Sequence, residues 1–275
     1  MRPPLAYFGG KQRIAEQIIE VFGEHRHYVE PYAGSLAVLL AKPASAMETV
    51  NDLDGELVTF WRVLRDRPED LYRVCALTPH AVAELEEARS IPDDADEVEV
   101  ARRVWVQLTQ GRSATRRTVT GWRHYQNPAT ASTAAFKTYR AAYLDRLPPA
   151  AQRLLDVQLE CRDALDVVAD YGRHEGVLMY VDPPYLPSTR RTKTYKHEVD
   201  VGHHERLVDG VRRCRSKVVL SGYDAPLYKA TLADWERVTI RARSQSHPAG
   251  SVARTEVLWC NFTPEQYLFR IGDVA

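Results

Sequence analysis

Residues 182 to 185 read Asp182-Pro183-Pro184-Tyr185, and they follow the apolar run Val177-Leu178-Met179-Tyr180-Val181. Such a run, short and rich in β-branched residues, reads as a strand buried on both faces. Asp182 then sits at a strand's carboxyl end, where open α/β sheets bind ligands. The chemistry that suits it is attack by an exocyclic amine, whose lone pair is delocalised and weakly nucleophilic. Acceptors that hold the amine's hydrogens stabilise the positive charge developing on nitrogen. Asp182 offers a carboxylate and Pro183 a carbonyl, since proline has only its C=O to give. Tyr185 adds a ring on which a base turned out of a duplex can stack. The same tetrapeptide also fits a plain turn that ends a strand, so the elements around it must decide.

The chain of 275 residues with 44% apolar content is long enough for one large α/β domain, with room for an insertion. Lys11 to Phe22 has helical spacing. Strand Tyr28 to Glu30 leads through Pro31-Tyr32-Ala33-Gly34 into an apolar helix, Leu36 to Leu40, and strand Glu48 to Val50 leads through Asn51-Asp52-Leu53-Asp54 into helix Glu56 to Arg65. This alternation predicts a parallel sheet. It breaks off at about residue 68, where several helices and a basic loop follow, and resumes with strand Val157 to Leu159, helix Ala164 to Tyr171, strand Val177 to Val181, helix His203 to Cys214 and strand Val218 to Ser221. Two β-rich runs, Trp235 to Ala242 and Thr255 to Phe262, predict a closing antiparallel hairpin. Residues 1–66 and 151–275 are thus expected to form one domain and 67–150 an inserted, mostly helical subdomain.

Glu30, Pro31 and Gly34 lie in the loop after the first strand, and Asp52 follows Glu30 by 22 residues, close to the spacing at which an acid meets a ribose hydroxyl. Neither a Gly-x-Gly-x-x-Gly loop nor a phosphate-binding lysine loop is present, so a dinucleotide or triphosphate fits poorly. S-adenosylmethionine, an adenosine without phosphates, fits better. Asp163 is a further acid at a strand end; adenine binding and simple capping of the helix Ala164 to Tyr171 are equally open for it. The four cysteines, Cys75, Cys161, Cys214 and Cys260, are scattered and read as buried, reduced thiols, and no metal-binding spacing occurs.

Net charge is zero, but its distribution is uneven. Residues 84–99 hold eight acids and one base, whereas 101–153 hold ten bases and one acid, Asp145. The segment 112–125 interleaves Arg112, Arg116, Arg117 and Arg123 with Trp122, as a DNA-binding loop would, and no acid between 101 and 144 pairs with it. Arg190, Arg191 and Lys193, just after the catalytic turn, extend the same expectation. No apolar stretch approaches the roughly 20 residues of a membrane span, and Met1-Arg2-Pro3-Pro4 lacks an apolar signal core. A cytoplasmic location, in a bacterial cell or phage-infected host, is expected.

Taken in order, these motifs resemble those of the Dam-like N6-adenine DNA methyltransferases. Tyr7-Phe8-Gly9-Gly10-Lys11 looks like that family's N-terminal motif, Glu30 to Gly34 its cofactor loop, Asn51 to Asp54 its ribose-binding turn, Asp182 to Tyr185 its catalytic motif and Arg254 to Asn261 its closing strand. The resemblance spans nearly the whole chain. It implies a Rossmann-like, S-adenosylmethionine-dependent methyltransferase fold, a mixed sheet with a C-terminal antiparallel hairpin. It also implies target recognition by the insertion, transfer of a methyl group to N6 of adenine in double-stranded DNA, and a restriction–modification setting. Tyr7, Lys11, Asp52 and Asp182 would contact the cofactor, with Gly9 and Gly10 letting the backbone approach its methionine end. A monomer or weak dimer without metal is expected. Methylation of cytosine N4, or a DNA-binding relative without catalysis, are the competing readings; sites that modify glutamine tend to begin with Asn where this chain has Asp182. One departure concerns the cofactor loop, where the family usually has a second glycine and this chain has Leu36.

Overall fold

A computed structural model describes residues 1–112, 114–116, 121–124, 140–186, 196–241 and 255–264. Its centre is a seven-stranded sheet in the order β3-β2-β1-β4-β5-β7-β6. Strands β1 (His27–Glu30), β2 (Met47–Asn51), β3 (Val157–Glu160), β4 (Val177–Val181) and β5 (Lys217–Gly222) are parallel. Strands β6 (Glu236–Arg241) and β7 (Thr255–Cys260) form the expected hairpin, and β7 lies antiparallel between β5 and β6.

Alternation along each strand divides its side chains between two helix layers. Leu178 and Tyr180 of β4, Tyr28 of β1 and Leu258 of β7 join one cluster, with α1 (Ala15–Ile19), α2 (Ala37–Ala41) and α3 (Gly55–Asp66). Val177, Met179 and Val181 of β4, Val29 of β1 and Val257 of β7 join the other, with α8 (Ala164–Tyr171), α9 (Val201–Arg212) and α10 (Pro226–Thr231). All five β4 residues are buried, which is why the strand reads as an unbroken apolar run.

The chain leaves β1 toward β2 on one side of the sheet and β4 toward β5 on the other. The crevice of the sheet therefore opens at the carboxyl ends of β1 and β4, which are Glu30 and the residue before Asp182.

Helices α4 (Pro68–Leu77), α5 (Val82–Ala88), α6 (Glu97–Gln110) and α7 (Leu147–Leu154) share the first cluster. Val104, Trp105 and Leu108 of α6 are buried with Phe60 and Trp61 of α3, so the inserted helices extend the catalytic core. The expected boundary between residues 150 and 151 lies inside α7. The acid-rich and base-rich stretches also meet here. Arg102 pairs with Glu84 and Glu99, and Arg103 with Glu87 and Glu99. Among the cysteines, Cys75 and Cys260 are buried as expected, but Cys214 is half-buried and Cys161 exposed at the edge of the β3–α8 turn.

Leu36 precedes α2 with φ 56° and ψ 30°, the left-handed conformation that favours glycine, and is completely buried. The loop thus follows a glycine-like path without the glycine. Left-handed backbone costs a leucine about 1–2 kcal/mol, whereas removing a buried leucine side chain costs about 2–5 kcal/mol. Leu36→Gly is therefore expected to lower the urea-derived unfolding free energy by roughly 1–3 kcal/mol; a variant as stable as the parent would show that strain outweighs packing.

Candidate active site

A cavity of about 360 Å³ opens at the carboxyl ends of β1, β2 and β4. Tyr7, Gly9, Gly10 and Lys11 line it from the N-terminal segment, Glu30, Pro31 and Gly34 from the loop after β1, Asp52 from the end of β2, Asp163 from the end of β3 and Asp182 from the end of β4. Every residue expected to contact the cofactor is brought together. Gly9 (φ 77°) and Gly34 (φ 49°) both take left-handed backbone. At Gly34 a side chain would also collide with Tyr7, because a Cβ there would stand 3.0 Å from the tyrosine Cε1.

The acids differ in what they hold. Asp52 accepts the amides of Gly34 (2.8 Å, through Oδ2) and Asp54 (2.9 Å, through Oδ1), which fixes the loop to the end of β2. Burial pushes its carboxyl up and the two amides pull it back. Glu30 is 2% exposed; its Oε1 accepts the Tyr28 hydroxyl at 2.6 Å and the Leu39 amide at 2.8 Å. Burial raises its pKa to about 7 against both of those hydrogen bonds. Glu30 is thus an internal brace of α2 as well as a lining residue. Asp163 caps α8 by accepting the Leu165 amide at 2.8 Å, as its capping reading expects, and it also lines the cavity.

At the reacting end, Lys11 Nζ donates to both oxygens of Asp182 at 2.7 Å, to the Tyr185 hydroxyl at 2.9 Å and to the Gly9 carbonyl at 3.2 Å. Burial is the largest influence on Asp182, and with the nearby charge of Glu256 it raises the pKa to about 6 although Lys11 opposes the shift. Tyr185 is buried. Its hydroxyl donates to Glu256 at 2.9 Å, and its ring stacks on Tyr223 with centroids 4.1 Å apart. Pro183 is buried behind Asp182, and Pro184 is the proline that faces the cavity.

Three groups here lay outside the sequence-based expectations: Glu256, Tyr223 and the pair Tyr32 and His203, whose hydroxyl and Nε2 lie 2.7 Å apart beside the cavity. Glu256 did carry a signal, as an acid in β7 directly before its apolar run Val257 to Cys260.

Arg116 corrects an expectation. Its side chain is 3% exposed and forms ion pairs with Asp54 and Glu56 at the start of α3, so it faces inward and not toward a DNA backbone. The same two acids bind Lys196 Nζ, at 3.0 and 2.5 Å. Burial pushes the Asp54 carboxyl up, but Arg116 and Lys196 together hold it below its ordinary value. The partners of this arginine come from residues 54 and 56, far outside the acid-free insertion. Arg112 is exposed. Trp122 is half-buried between His80 and His124, and the Arg123 backbone is tied to Gln110. Arg117, Arg190, Arg191 and Lys193 lie outside the described residues.

The fold is that of a doubly wound α/β protein with an acid-lined crevice at its switch point. Residues 7–245 match the D12 class N6 adenine-specific DNA methyltransferases, and the chain belongs to that family. It is similar to the Type II methyltransferase M1.LlaDCHI of Lactococcus lactis subsp. cremoris, at 25% identity over 281 residues, covering 95% of this chain and 96% of the relative. Among solved structures it resembles a precorrin 8W decarboxylase from Methanobacterium thermoautotrophicum (9% identity, 91% and 89% of the two chains, TM-score 0.38). It also resembles a methyltransferase from Geobacter sulfurreducens (11% identity, 94% and 81%, TM-score 0.39). The protein is accordingly an adenine-specific DNA methyltransferase whose methyl donor is S-adenosylmethionine.

The cavity suits that donor. The acids in its lining outnumber the cations Lys11, Lys196 and Arg206, which favours a ligand carrying a sulfonium and an ammonium. Among the described residues no group of three or more His, Cys, Asp or Glu is arranged to hold a metal, and no helix is long and apolar enough to cross a membrane.

Because Arg116 neutralises a buried carboxylate, Arg116→Ala is expected to cost about 3 kcal/mol of unfolding free energy, the low end for a broken buried pair because Lys196 remains. Urea denaturation checks this; a loss below about 1 kcal/mol would place the pair among exposed ones.

Proposed function

We propose that the protein methylates N6 of adenine in double-stranded DNA after turning the base out of the helix, with Asp182, Pro183 and Tyr185 at the reacting centre. The observation that supports this most is the position of Asp182. It stands at the end of a fully buried strand, beside the adenosine crevice, with its charge held by Lys11.

When bound, S-adenosylmethionine supplies an electrophilic methyl group. Tyr7, Lys11, Asp52 and Asp163 are the residues proposed to hold it, with Glu30 bracing the loop from behind. Asp182 and the Pro183 carbonyl would accept the hydrogens of the target amine, aligning its lone pair and stabilising the positive charge that grows during attack. No base has to remove a proton beforehand, because the nitrogen becomes acidic once it carries the charge. Tyr185 is held by Lys11, Glu256 and Tyr223, so it is a rigid edge of the base pocket.

The segment 67–150 is proposed to recognise the target sequence. Arg112 is its exposed cation among the residues named for DNA contact, suited to a phosphate. Trp122 and Arg123, together with Arg117, Arg190, Arg191 and Lys193, complete that proposed surface. Arg116 acts beneath it, tying the insertion to α3.

Asp182→Ala is expected to abolish methyl transfer while duplex DNA binding stays within a few-fold of the parent. Nucleoside digestion and mass spectrometry read the product, and N4-methylcytosine in place of N6-methyladenine would overturn the base assignment. Asp182 must be ionised to act as the acceptor beside the Pro183 carbonyl, so kcat/KM is expected to fall as pH drops through about 6. A flat profile between pH 5 and 8, measured with the same duplex, would remove the carboxylate from the mechanism.

A further inference from the structure

An ammonium group has three hydrogens, yet Lys11 Nζ already has four acceptors around it: both Asp182 oxygens, the Tyr185 hydroxyl and the Gly9 carbonyl. Lys11 spans both oxygens of Asp182, so a target amine that binds either one meets a carboxylate already engaged by the ammonium. A lysine released into a buried site without a counter-charge is costly. One further anion stands within reach, Glu256 Oε1, at 3.9 Å.

Glu256 is 6% exposed and comes from β7, the antiparallel strand inserted beside β5. Its Oε1 accepts the Ser221 hydroxyl at 2.7 Å, and its Oε2 accepts the Tyr185 hydroxyl at 2.9 Å. It therefore touches both groups that hold Asp182 or lie beside it, without touching Asp182 itself. If its only task were to join β7 to β5, the Ser221 contact and the strand ladder would suffice. A second carboxylate beside Asp182 raises the cost of ionising Asp182.

We propose that Glu256 is a positioning residue that receives Lys11 when the target amine takes Asp182, keeping the lysine paired and the Tyr185 ring fixed throughout the exchange. This rests on the reading of Asp182 as the amine acceptor. The hand-over moves one ammonium from one carboxylate to another, and the site's net charge does not change. The charged and titratable groups around Asp182 are Lys11, Glu30 of β1, Tyr180 of β4, Tyr185, Glu256 of β7 and Tyr228 of α10.

The test uses the full-length enzyme with Glu256→Gln, nearly the same shape without the charge. Lys11 then has no second anion and stays on Asp182. The expected result is a loss of kcat on the order of 10²-fold, with the KM for S-adenosylmethionine and the affinity for duplex DNA within about three-fold of the parent. With the repulsion gone, the acid limb of kcat/KM is expected to move to lower pH. A glutamine variant with kcat within about three-fold of the parent and an unmoved limb would overturn the assignment. Glu256→Asp, which keeps the charge, guards against a folding artefact. It is expected to retain the parent's limb and to recover at least about ten-fold of the lost kcat; an aspartate variant no better than glutamine, or displaced in pH as far, would also overturn it. If the parent enzyme itself yields no N6-methyladenine, the reading of Asp182 fails first, and the two failures are told apart by that control.

Discussion

The ion pair between Lys11 and Asp182 joins residues 171 positions apart and ties the N-terminal segment to the end of β4. A carboxylate at the mouth of a buried strand needs a partner, because an isolated ion in a low-dielectric site is expensive. That requirement shapes the segment carrying the lysine. The left-handed turn at Gly9 brings Lys11 inward, and the Gly9 carbonyl takes one of its hydrogens. Tyr7 lies against Gly34, so the same turn closes one wall of the cofactor cavity. The cavity wall and the Asp182 carboxylate are thereby one assembly. The arrangement also sets a tension, since the lysine that makes an ionised Asp182 tolerable occupies the oxygens that the proposed mechanism offers to the amine.

Charge is organised at a larger scale by the same rule. The neutral total conceals an acidic and a basic stretch, and much of the basic one is engaged by acids that lie elsewhere in the chain. Arg102 and Arg103 are met by Glu84, Glu87 and Glu99, Arg116 by Asp54 and Glu56, and Arg153 by Glu48. Arginine suits this, with a planar fork that serves two carboxylates at once. The basic insertion therefore contains two populations of arginine, those that fasten it to α3 and α5 and those such as Arg112 that face solvent. Its attachment to α3 depends on the first population.

Features that depend on local periodicity were legible. Strand β4 and helix α8 fall on the residues expected for them, and the hairpin of β6 and β7 lies within one or two residues of its expected limits. The convergence of Tyr7, Glu30, Asp52 and Asp182 on one cavity was legible too, because strand ends and small-residue turns announce themselves in order. What escaped was pairing across the fold. Nothing near Arg116 in the chain shows that residues 54 and 56 will meet it, and counting acids between 101 and 144 missed partners supplied by α3. Glu256 was visible as an acid directly before an apolar run, but its contact with Tyr185 exists only because β7 slots between β5 and β6.

The cofactor loop shows how packing replaces a residue type. A glycine reaches the left-handed region freely, but it contributes nothing to the core. Leu36 accepts the conformational cost and fills space that is fully closed to solvent. Glu30 makes this workable from below. Its carboxylate accepts the Leu39 amide in the first turn of α2, so the helix start is held by a buried hydrogen bond as well as by the turn. Asp52 holds the other end of the loop through the Gly34 amide. With both ends anchored by carboxylates, the backbone between them has little freedom left, and the residue at 36 is selected for what it packs against more than for the angles it prefers. The departure from glycine changes how the loop is stabilised while its glycine-like path past the cavity is kept.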